Sequence, residues 1–117
     1  MSAVDDEEPA IGEKVTLPWS DDPDEKHGTY IGHGHITSPL VAEEGGPVIG
    51  YHVWHECHGG KMQPGGVFLA VPELPEHLSG HVTWQLISHD PLHIEPSVLC
   101  RACNDHGWIR DGKWVPA

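Results

Sequence analysis

Hydrophobic and polar positions alternate along this chain in short runs, with a period of two rather than the 3.6 of a helix. Residues 48–55 read as the first strand, rich in β-branched and aromatic types between a Gly-Gly-Pro turn and Gly59-Gly60. Side chains alternate across a strand, so Tyr51, Val53, His55 and Cys57 share one face if the strand runs on to the cysteine. Residues 82–88 alternate most cleanly, placing Val82, Trp84 and Leu86 on one face and Thr83 and Gln85 on the other. Residues 67–71 follow a Pro64-Gly65-Gly66 turn and are predicted to pair back on the first strand.

Weaker signals fill in the rest. Residues 30–36 form a short predicted strand ended by Ser38-Pro39, residues 43–47 a turn-rich link, and Asp90-Pro91 a turn into residues 92–95. Trp108-Ile109 and Trp114-Val115 flank Arg110-Asp111-Gly112-Lys113, whose Asp-Gly marks a hairpin. Together these predict a mainly β chain of small antiparallel sheets and hairpins. With Gly 14 and Pro 11 among 117 residues, long helices have no place in it.

Charge changes the picture at one end only. The formal net charge is -12, yet residues 1–25 hold nine acids and one base, so that segment alone carries -8. Residues 1–27 contain Pro9, Pro18 and Pro23 and no sustained periodicity, and they read as an acidic flexible arm. Its Val15-Thr16-Leu17-Pro18-Trp19 patch is expected to pack on the domain formed by residues 28–117. Lys61, Arg101, Arg110 and Lys113 are too few and scattered to make the basic footprint that displaces counterions from phosphates, so nucleic acid is disfavoured as a partner. No apolar run reaches the roughly 18 residues that span a bilayer, and the first eight residues have neither the basic nor the apolar region of a signal peptide. The expectation is a cytoplasmic protein without a membrane partner.

Three cysteines are an odd number, and the cytoplasm keeps thiols reduced, which favours metal coordination over a disulfide framework. Cys100-Arg101-Ala102-Cys103 can chelate one ion from a tight turn, and Asn104 tolerates the left-handed conformation such a turn needs. Cys57 is the third thiol. A closed tetrahedral zinc site takes four protein ligands, so a histidine must complete it. His55, two residues before Cys57 and on its strand face, is preferred, while His106 and His58 remain alternatives. The expected set is therefore His55, Cys57, Cys100 and Cys103 around zinc, in a zinc-ribbon-like arrangement. Gly32-His33-Gly34-His35 offers a second histidine pair, which with Glu43 suggests a metal-dependent hydrolase as an alternative. Exposed strand histidines are the simpler reading of it. No nucleophile elbow, phosphate-cradling loop or dinucleotide fingerprint is present.

With these motifs in view, the stretch from about residue 50 to 115 resembles a family of small proteins common in bacteriophages and prophages. Trp84-Gln85-Leu86, Pro96-Ser97-Val98 and the segment from Cys103 to Ile109 follow that family's order, and His55-Glu56-Cys57 stands where the family has a first Cys-x-Cys. The resemblance implies metal binding and a phage-type origin, and it implies no reaction. The leading expectation is a structural-zinc interaction module with a protein partner. A nucleic-acid-binding zinc ribbon is a further alternative that the charge balance opposes.

Overall fold

The computed structural model describes residues 9–16, 27–57, 62–78, 80–101 and 103–117, with the side chains of residues 27 and 62–64 outside the description. Among the described residues the alternation becomes nine strands: β1 Lys14–Thr16, β2 His27–Gly32, β3 His35–Val41, β4 Val48–Glu56, β5 Met62–Leu69, β6 Thr83–His89, β7 Leu92–Leu99, β8 His106–Arg110 and β9 Lys113–Pro116. They hydrogen-bond in sequence order as one nine-stranded sheet. Every neighbouring pair is antiparallel except β5 and β6, which run parallel and meet only at Phe68↔Thr83 and Leu69↔Trp84. The sheet therefore has two halves, β1–β5 and β6–β9, joined at a narrow seam. A parallel pair needs a crossover, and residues 70–82 supply it with a single 3-10 turn, Glu76–Leu78. Among the described residues no helix is long and apolar enough to cross a membrane.

The two halves fold face to face, bringing β2 against β9. Ile31, Tyr51, Val53, Val67 and Leu69 from the first half meet Leu92, Ile94, Ile109 and Trp114 from the second in one buried core. Each is the inward member of an alternating strand, as burying one face of an antiparallel sheet demands. The opposite face of the first half carries a smaller cluster of Tyr30, Ile36 and Trp54, against which Val15 packs. The Trp54 indole there donates to Ser38 Oγ at 2.8 Å, so its buried N–H is satisfied.

Some expectations shift. Residues 30–36 are not one strand: Gly32, His33 and Gly34 all take positive φ and make the β2–β3 turn. Pro64-Gly65-Gly66 is not a turn but the middle of β5, paired to Trp54, Val53 and His52. Val82 lies before β6 and is 76% exposed, while Trp84 and Leu86 are half-buried against the core. Part of the acidic arm is structured, since β1 pairs with β2 through Val15↔Gly28. Leu17, Pro18 and Trp19 lie outside the described residues, as do residues 1–8. The predicted β8–β9 hairpin forms around Asp111 and Gly112, both at positive φ, with Arg110↔Lys113 as its last pair.

Gly50 is required by close approach rather than by conformation. A Cβ there would lie 2.3 Å from the backbone oxygen of Val67, an atom locked in the β4–β5 ladder. Gly50→Ala is expected to cost about 3 kcal/mol, the upper range for overpacking a site that cannot relax. Gly66→Ala, whose Cβ would meet nothing within 4 Å, should leave stability near parental. Urea denaturation midpoints of the two variants check the contrast.

Candidate metal centre

The centre forms where the edges of the two halves meet. β4 ends at Glu56, carrying His55 and then Cys57 out of the same inward row as Tyr51 and Val53. β7 ends at Leu99, and the chain turns through Cys100 and Cys103 before re-entering as β8. The turn is held by Asn104 N–H donating to Cys100 O at 2.7 Å and Cys100 N–H donating to Asp105 O at 2.8 Å. Asn104 takes φ 62, the left-handed position that the sequence suggested for it.

His55, Cys57, Cys100 and Cys103 thereby converge, each with one donor atom, all within 4.8 Å of one another. This group could hold a metal ion. Cys57 Sγ and Cys100 Sγ stand 3.8 Å apart, and Cys103 Sγ and His55 Nε2 3.4 Å. A tetrahedral ion with sulfur at about 2.3 Å requires sulfur–sulfur edges of about 3.8 Å, so the spacing suits a single ion at the centre of the four. All three cysteines are free thiols, half-buried. The Cys103 thiol receives a hydrogen bond from the Asp105 backbone that favours its ionised form. Burial and the Cys57 and Cys100 sulfurs outweigh that bond and push it up to about 11. Without a cation the neighbouring sulfurs oppose ionisation of Cys103, and a cation among them relieves that.

His35, unpromising as a member of His-x-His, supports this centre. The register Ile36↔Trp54 sets His35 beside His55 on the inner face, with the rings stacked at 5.6 Å. The His35 ring also stacks on Trp114 at 3.9 Å and 10°. Its Nδ1 donates to His33 O at 2.7 Å, and its Nε2 meets the Asp105 carboxyl group in a hydrogen bond. Asp105 thus ties the cysteine turn to β3, as an outer-shell partner orients ligands. The sequence held no signal for the role of His35 or Trp114, because it depends on strand register; Asp105, two residues past Cys103, was in plain reach of the motif.

The other candidates go elsewhere. His106 is exposed on the outward face of β8, where its Nε2 meets Ser97 Oγ at 2.8 Å. His58 lies outside the described residues. His33 is exposed at the β2–β3 turn, while Glu43 follows the far end of β3. Among the described residues His33, His35 and Glu43 form no metal-binding group. His55→Ala is expected to weaken metal binding by more than about 100-fold, beyond the loss that an outer-shell change causes, and His106→Ala to leave it unchanged. Competition titration against a chromophoric chelator measures both.

Comparison with protein-family models, with curated proteins and with solved structures finds no match to this chain, so the character of the centre rests on its own residues.

Proposed function

We propose that this protein is a small structural-zinc interaction module whose partner is another protein. The closed set of three thiols and one imidazole carries the reading. Soft thiolates with imidazole in tetrahedral array suit zinc, and four protein ligands leave no open position for substrate or water. Because the donors come from both halves of the sheet, the ion acts as a cross-link. In keeping with the resemblance to phage and prophage proteins, the module serves as a phage-encoded accessory that engages a host or virion protein.

The outward face of β7 and β8 supports a protein partner. Trp108 is half-exposed there, with the Arg110 guanidinium 4.9 Å from its ring centroid. Arg110 also bonds Glu95 at 3.2 Å, and Glu95 accepts from His93 at 2.9 Å. Those two hydrogen bonds hold the Glu95 carboxyl below the usual range. Trp and Arg fixed side by side are the residue types on which protein interfaces concentrate their energy. A net charge of -12 opposes both nucleic acid and anionic lipid. Elemental analysis of the purified chain is expected to give one zinc per protein and no iron, and cross-linking through the β7–β8 face to yield a defined protein complex lost in Trp108→Ala. Metal-free but fully folded protein, or salt-sensitive binding to nucleic acid, would overturn the reading.

A further inference from the structure

Between the two halves, beside the metal centre, lies a cavity of about 260 Å³. Val53, Val67, Trp84, Val98 and Trp114 form its apolar walls. The room comes from Gly65. Paired with Val53 in the β4–β5 ladder, Gly65 occupies an inward position without a side chain. A Cβ there would approach Val53 O at 3.8 Å, an ordinary contact, so a side chain can start into the hollow that glycine leaves open. Glycine weakens a strand interior, and one found there marks a place where something approaches the backbone closely.

The polar groups of the lining are already engaged. The Trp84 indole donates to Ser97 O at 3.1 Å, the Asp105 carboxyl group is hydrogen-bonded to His35, and His55 Nε2 faces Cys103 Sγ. Arg101 is exposed and, among the described residues, has no hydrogen-bond or ion-pair partner. With zinc in place, three thiolates around a divalent ion leave the centre net negative, which repels an anion. A cation would lose its hydration against five apolar walls. An apolar cavity of about 150 Å³ takes up benzene, so this larger one has room for two fused rings.

We propose that the cavity binds a neutral planar aromatic molecule of one or two fused rings, its polar edge turned to Arg101 at the mouth. The charge part of this rests on the zinc reading; the shape does not. The test titrates the zinc-loaded full chain with indole and 2-naphthol, followed by amide and indole NMR shifts. Shifts at Val53, Val67 and the Trp84 indole N–H are expected, with a dissociation constant of roughly 0.1–1 mM for so few ligand atoms. Tryptamine, which would bring a second cation to Arg101, should bind at least tenfold more weakly. Gly65→Val fills the hollow and should abolish binding at unchanged metal content, and Val98→Phe serves the same purpose should that variant not fold. No shifts up to 10 mM ligand, equal affinity for tryptamine, or undiminished binding in a metal-loaded filled variant would overturn the proposal. Metal content measured on each sample separates this from the zinc reading, which fails if the parent chain purifies folded without metal.

Discussion

For the zinc-bound module proposed above, stripping the metal with a strong chelator is expected to unfold the region from residue 48 to 115. Structural zinc contributes about 10–16 kcal/mol of apparent binding energy, against a total stability of about 5–15 kcal/mol for a domain. Its position makes the loss global. The donors leave the end of β4 and the β7–β8 turn, while the sheet itself joins the two halves through only two residue pairs between β5 and β6. Without the ion, three half-buried sulfurs remain packed within 4.8 Å of one another and of an imidazole. Acid should act as chelator does. The ligands bind metal only when deprotonated, so the metal-free chain holds more protons than the loaded one, and stability falls as pH falls. With the Cys103 thiol pushed up to about 11, loading at pH 7 should release protons, which calorimetry in buffers of different ionisation enthalpy can count. Circular dichroism melts with and without chelator decide the matter: an identical melt would reduce the cluster to ordinary packing.

The second large effect is expected from Trp114→Ala, at about 3–5 kcal/mol, the range for removing a buried aromatic ring. Trp114 is 4% exposed and belongs to the core that joins the halves. It also covers Gly107 so closely that a Cβ there would lie 2.7 Å from its ring, and it stacks on His35 at 3.9 Å. Loss of the ring therefore opens a cavity and frees the histidine that ties Asp105 to β3. Trp114→Phe keeps a ring at both contacts and should cost less than half as much. Urea denaturation of both variants, with metal affinity measured alongside, tests this. A cost below about 1 kcal/mol for the alanine variant would remove Trp114 from the core.

The sequence by itself determined the β character, the strand through Val53 and His55 that leads to Cys57, the Asp111-Gly112 hairpin and the cysteine turn with its left-handed Asn104. Each depends on a few adjacent residues: period-two alternation, a dipeptide that tolerates positive φ, or two thiols at a chelating spacing. His55 was legible for the same reason, since strand alternation puts it on the face of Cys57. Segments rich in glycine misled. Gly32-His33-Gly34 reads as strand and Pro64-Gly65-Gly66 reads as a turn, because glycine lacks the side chain that would signal which face is buried. Only the tertiary structure decided which strands are neighbours. It put Phe68 and Leu69 parallel to β6, folded the second half over the first, and so carried Cys100 and Cys103 to Cys57 across more than forty residues of chain. It also set His35 against both His55 and Trp114. Local propensity is fixed by sterics within a few residues, whereas pairing between distant strands is chosen by burying all their apolar faces at once, and no single segment contains that information.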